Sequence, residues 1–285
     1  IGDWSSDVCS SDLTPRDVMQ PNCRCASGRA EMDLFSVWGA ANRYRSIAWV
    51  FSDYGWNDPS IIAALVSHEV GHNFGLYHDG IVRHGRRSEY YTGATPWSPI
   101  MGSPFDEPLH QWSDGDYAGA TMHQDDLAII SRSAPPVADD HPAQADKLTR
   151  SASGLTPDLT VGLLARTAST TGVIGVAPSG GPDSDLYVVR VTAPGVYRFA
   201  VGPTRSDSPL DLALQVLSSG SSVLAGSAPM TRVLGPRRIT GTSAALDRRL
   251  AVGTYLVRVR GDGQLHAKRY GSIGGYRLLV TRQGL

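Results

Sequence analysis

The 285-residue chain has almost no charge imbalance, little cysteine and no long apolar run. Its formal net charge is −1 at pH 7, with 26 basic side chains against 27 acidic ones. Such a balance supplies no electrostatic footprint for a polyanion or an anionic bilayer, so neither a nucleic-acid nor a membrane partner is expected. The cluster Arg83, Arg86 and Arg87 is too short to change that and reads as a solvated loop. No stretch approaches the roughly 18 consecutive apolar residues of a membrane-spanning helix. Of the three cysteines, Cys23 and Cys25 stand too close together to pair comfortably. They read as free thiols or as halves of bonds to partners upstream, which leaves the redox compartment open. The whole chain is 41% hydrophobic, enough for two compact domains.

The first residues look foreign. Asp3 to Leu13 (Asp-Trp-Ser-Ser-Asp-Val-Cys-Ser-Ser-Asp-Leu) match the translation of a common sequencing-adapter oligonucleotide. Residues 1–13, with Cys9, therefore read as an assembly artefact, to be set aside like a fusion scar. The protein's own sequence is then expected to start near Thr14, with part of its first domain, a signal peptide and a propeptide missing. Such a truncation is expected to leave Trp49, Phe51 and Leu65 partly exposed.

The chemistry is concentrated in residues 68–79, His-Glu-Val-Gly-His-Asn-Phe-Gly-Leu-Tyr-His-Asp. Helical spacing puts His68 and His72 on one face, where both can grip one metal ion. Glu69 is placed to reach a water at that metal. Gly75 allows a sharp exit from the helix, because it tolerates φ > 0. The turn returns His78 as a third ligand. Three neutral imidazoles with one open position suit a catalytic Zn²⁺, one per chain, rather than a structural one. Asp58 as N-cap and Pro59 at the first position mark the helix start. Ile61, Ile62, Leu65, Val66 and Val70 repeat at helical spacing, and Ile62, Leu65 and Val66 read as core.

Those residues resemble the extended zinc-binding signature of the metzincin endopeptidases, which is followed by a Met-turn. Ser98-Pro99-Ile100-Met101-Gly102 is similar to that turn. Asp79 after the third histidine, and Ser103 where other branches carry tyrosine, resemble the reprolysin/adamalysin branch. The resemblance implies Glu69 as general base, His68, His72 and His78 as metal ligands, and Gly75, Asp79 and Met101 as supports. It suggests Pro104 and Phe105 as lining of a substrate pocket. It further implies a secreted, extracellular bacterial enzyme, with substrate backbone held along an edge strand within Gly28 to Leu34. Ile47 to Phe51 reads as a buried strand, and Gln124 to Arg132 as a helix closing the domain.

From Ser133 to Pro142 the chain turns proline-rich and non-periodic, which reads as a linker. Beyond it, apolar residues alternate: Tyr187, Val189, Val191; Tyr197, Phe199, Val201; Leu210, Leu212, Leu214, Val216; Tyr255, Val257, Val259; Tyr276, Leu278, Val280. Regular short strands with Gly or Pro between them predict an all-β sandwich. The strand starts Gly195-Val196-Tyr197, Gly253-Thr254-Tyr255 and Gly274-Gly275-Tyr276, with Ser184-Asp185-Leu186-Tyr187, resemble the bacterial pre-peptidase C-terminal (PPC) domain. That resemblance implies attachment to extracellular matrix or another polymer. Asp183 and Asp185 read either as Ca²⁺ ligands or as ordinary polar residues at a strand start, since Asp-x-Asp is only a fragment of a calcium loop.

The expected fold class is thus an α+β metzincin-type catalytic domain, N-terminally truncated, followed by an all-β sandwich. The expected divisions are an artefact tail (1–13), a partial peptidase domain (14–133), a linker (134–159) and a PPC-like domain (160–285). The expected function is a zinc metalloendopeptidase acting on protein or peptide substrates. The alternative is a non-enzymatic matrix- or polymer-binding protein with a vestigial zinc site. Glu69 argues against the alternative, because a dead site has no need of a base.

Overall fold

A computed structural model describes residues 27–37, 47–103, 105–136, 139–141, 158–176, 183–205, 208–235, 238–263 and 269–284. Residues 1–26, with the adapter-like segment and all three cysteines, lie outside the described residues, as does Pro104. The chain divides into two units, one ending at Pro135 and the other beginning at Pro136.

The first unit is built on one helix. Strands β1 (Gly28–Ala30) and β2 (Ala48–Val50) pair antiparallel, with the short helix α1 (Leu34–Val37) after β1. The helix α2 (Pro59–Phe74) packs against both strands. Asp58 caps it, its side chain accepting from the N–H groups of Ser60 at 2.9 Å and Ile61 at 3.3 Å. Ile61 and Leu65 on its inner face pack against Val50, with Ile62 and Phe105 at the margin. Next come the antiparallel pair β3 (Ile81–Arg83) and β4 (Arg86–Ser88), then the parallel pair β5 (Trp97–Pro99) and β6 (Leu109–Gln111). The helix α3 (Asp126–Ser131) follows, capped by Asp125.

The second unit is a two-layer sandwich of β7 (Asp158–Val161), β8 (Thr167–Ile174), β9 (Ser184–Val191), β10 (Gly195–Pro203), β11 (Leu212–Ser218), β12 (Val223–Ser227), β13 (Arg232–Gly235), β14 (Arg238–Thr240), β15 (Ala244–Leu250), β16 (Gly253–Gly261) and β17 (Gly274–Arg282). One sheet runs β15-β10-β17-β8 and the other β12-β11-β16-β9-β7, while β13 and β14 form a separate hairpin. Alternate residues of both sheets enter one core, including Tyr187, Val189, Tyr197, Phe199, Leu214, Val257, Tyr276 and Leu278. Period-2 alternation dictates this, since successive strand side chains point to opposite faces.

The α+β fold class expected for the catalytic part does not form. The described chain is dominated by strands, and α-helix is confined to segments of 4, 16 and 6 residues. Among the described residues, the first unit holds only two-stranded sheets, each strand three residues long. The histidine pattern is evidence for one helix and its exit turn. It carries no information about a sheet around that helix. The expected edge strand ends at Ala30, and the closing helix spans Asp126–Ser131. Nor is the apolar face open: Phe51 is 1% and Leu65 2% exposed, and only Trp49 of the three is half-buried.

Candidate metal centre

The helix α2 carries His68, Glu69 and His72, all three buried. It ends at Gly75, whose φ of 96° and ψ of 19° place it in the left-handed region. There its N–H reaches the carbonyl oxygens of Gly71 and His72, satisfying groups a helix end leaves open. The turn brings His78 back, and one ring nitrogen from each of His68, His72 and His78 lies within 4.8 Å of the others.

Each ring is held from behind. His68 Nδ1 lies 2.8 Å from the Ile100 carbonyl oxygen, and His72 Nδ1 lies 2.7 Å from that of Leu76. His78 Nδ1 lies 2.8 Å from Glu89 Oε1. A carbonyl or carboxylate oxygen only accepts, so every Nδ1 is the N–H nitrogen and every Nε2 of a neutral ring presents a lone pair. His72 Nε2 and His78 Nε2 face each other at 3.0 Å. Two lone pairs at that distance repel unless a proton or a cation lies between them. Burial above all, then the neighbouring charges of His72 and His78, holds the His68 imidazole well below the ordinary histidine range. A neutral imidazole is the form that ligates metal.

Met101 is fully buried beneath the helix with Leu76 and Ile100. A Cβ on Gly71 would stand 2.5 Å from Met101 Sδ, so the bare glycine lets the methionine close the floor. Asp79 joins the third-ligand segment to the Met101 turn, its N–H donating to the Met101 carbonyl at 2.8 Å. Burial, partly opposed by a hydrogen bond from Tyr117, pushes the Asp79 carboxyl up to about 7. Phe105 lies edge-on to Tyr54 and Trp56, with ring centroids 5.5 and 5.7 Å away, at the margin of the Val50, Ile61 and Leu65 cluster.

Sequence reasoning passed over Glu89 and Tyr90 and read Gly28 only as the start of an edge strand, although its backbone lies against the Glu69 side chain. The Tyr90 ring lies 4.3 Å from that of His78, centroid to centroid. All three arrive from segments with no set spacing to the motif, so no sequence signal tied them to it.

The second unit holds another cluster. One carboxylate oxygen from each of Asp139, Asp183 and Asp185 lies within 4.8 Å of the others. Asp185 is fully buried; one oxygen accepts from the Tyr276 hydroxyl, while Oδ1 has no hydrogen-bond partner among the described residues. Asp183 accepts from the Gly175 N–H at 3.0 Å. Burial chiefly drives the Asp185 carboxyl up to about 8 and that of Asp183 to about 6. Asp139 was not singled out in sequence, because the linker composition hides it.

No family model matches the chain, and no curated protein matches it. Among solved structures it is similar to the pre-peptidase C-terminal domain of a collagenase from Bacillus anthracis. The identity is 15%, over 44% of this chain and 96% of that one, with a TM-score of 0.27. It is similar also to a periplasmic inhibitor of g-type lysozyme from Aeromonas hydrophila, at 18% identity over 44% and 96%, with a TM-score of 0.26. A third is the C-terminal CBM6 of a marine laminarinase from Zobellia galactanivorans, at 13% identity over 41% and 89%, with a TM-score of 0.19. At such scores these likenesses carry no argument about activity or ligand. The description of the second unit as a β-sandwich rests on its own sheets and shared core.

Proposed function

We propose that the first unit carries a zinc-dependent endopeptidase site, with His68, His72 and His78 as ligands and Glu69 as general base. The observation that carries this reading is the convergence of three imidazoles whose Nδ1 atoms are all tied back, with one ring nitrogen from each within 4.8 Å of the others and the Nε2 atoms of His72 and His78 face to face. The donor set fits zinc, which favours neutral imidazole nitrogen and keeps an open position in catalytic sites. When bound, the metal supplies Lewis acidity and makes water nucleophilic near neutral pH. Glu69 accepts the proton of the attacking water and delivers it to the leaving amine. Met101 provides an apolar floor and does not ligate. An extended substrate backbone would lie along β1, which among the described residues pairs with β2 in a two-stranded sheet. The test is peptidase activity of the chain on casein or gelatin, abolished by chelator and restored by zinc. Activity indifferent to chelator would exclude the reading.

For the second unit we propose a PPC-type attachment module for extracellular matrix or another polymer, on a secreted protein. The Gly-x-Tyr strand starts at 195, 253 and 274 support it. We further propose that Asp139, Asp183 and Asp185 hold Ca²⁺, a cation that takes carboxylate oxygens. The orphaned, buried Asp185 Oδ1 supports that ligand set, because an unpaired buried polar atom is costly. Pull-down on insoluble collagen and on polysaccharides, with and without calcium, tests both proposals.

A further inference from the structure

We propose that Glu89 is a positioning residue for the metal centre: its carboxylate orients the His78 ring and fixes its tautomer. The inference rests on the zinc reading above and names what makes one arm of that site different from the other two.

His68 and His72 are oriented by backbone carbonyls, of Ile100 and Leu76, which no substitution removes. Of the three Nδ1 contacts, that of His78 is the one made to a side chain, with Glu89 Oε1 2.8 Å away. A whole segment is docked to make this contact. The Tyr91 N–H donates to the Asp79 carbonyl at 2.7 Å, holding residues 89–91 beside residues 78–79. The Tyr90 ring covers that of His78. The Ser88 hydroxyl donates to the Tyr90 carbonyl at 2.8 Å, closing the chain around Glu89. Glu89 itself is 68% exposed, so its position is not explained by burial. A carboxylate behind a ligating imidazole orients the ring and strengthens its donor nitrogen, and loss of such a partner typically weakens metal binding about 10–100-fold.

The experiment measures zinc affinity of the full chain by competition with a chromophoric chelator, and the visible spectrum of the Co²⁺-loaded chain. Variants are Glu89→Leu, Glu89→Gln and, as control, Glu107→Gln, whose carboxylate binds the Thr95 hydroxyl instead. Glu89→Leu is expected to weaken zinc about 10–100-fold and to shift the Co²⁺ bands. Glu89→Gln, which keeps an acceptor oxygen without the charge, should fall between Leu and wild type. Glu107→Gln should match wild type in both readouts. Wild-type affinity and spectrum in both Glu89 variants would overturn the proposal while leaving the zinc reading standing. A wild-type chain that binds no zinc would overturn both.

Discussion

The backbone of Gly28 lies directly over the Glu69 side chain: a Cβ at residue 28 would stand 2.7 Å from Glu69 Cγ and 2.7 Å from the Trp49 carbonyl oxygen. Strand β1 can therefore pass across α2 only because residue 28 has no side chain. The same contact limits where the carboxylate of Glu69 can go. A base must sit within hydrogen-bond reach of the proton it takes, so the glycine belongs to the positioning of the base.

Gly28→Ala should lower peptidase activity while leaving zinc binding intact, since the clash falls on Glu69 and not on the histidines. Overpacking of this kind costs roughly 1–3 kcal/mol where neighbours cannot yield, and here one neighbour is backbone. Zinc titration beside kinetics checks it. Equal loss of zinc and activity would mean that the helix itself had moved.

Glu69→Gln should keep one zinc per chain and lose turnover by roughly 10²–10⁴-fold, the usual range for a general base. Near-normal rates in this variant would exclude Glu69 from the assigned role. His78→Ala should weaken zinc far more than His84→Ala, because His84 lies exposed in the turn between β3 and β4.

Burial pushes the Asp126 carboxyl well above its ordinary value, with Asp79 adding to the shift. The folded chain then binds this proton more tightly than the unfolded chain does. Its contribution to stability is present below the ordinary carboxyl value near 4 and is lost as pH rises through the higher folded value. Each unit of that window is worth about 1.4 kcal/mol at most. Asp126→Asn removes the titration and keeps an acceptor for the Ser113 N–H, which donates to Asp126 Oδ2 at 2.9 Å. The variant should gain stability relative to wild type from pH 4 to pH 8. Melting curves with a constant gap between the two proteins would refute this.

Calcium should raise the melting temperature of the transition that belongs to the sandwich, by several degrees at saturating concentration, as any ligand selective for the folded state does. Asp185→Asn should abolish the shift, and magnesium should reproduce little of it, given its demand for stricter octahedral geometry. A shift surviving in Asp185→Asn would place the cation elsewhere.

Much of this was legible locally. The alternation Tyr197, Phe199, Val201 encodes a strand with one buried face, and β10 buries all three side chains in the shared core. Asp58 and Gly75 mark the two ends of α2 through capping chemistry that depends on neighbours a few residues away. The spacing of His68 and His72 is helical geometry, and Gly75 supplies the turn that brings His78 within reach of both.

The sequence by itself therefore determined the elements whose causes lie within a turn or a strand: the capped helix, its exit turn and the alternating strands of the second unit. Only the tertiary structure decided that the first unit builds short two-stranded sheets rather than the α+β domain expected from the motif. It also set Glu89 behind His78, Gly28 over Glu69 and Asp139 beside Asp185. The physical reason is range. Helical and strand periodicity act between neighbours and leave a pattern in the chain. Contacts between segments are chosen by packing, and nothing in their spacing announces them.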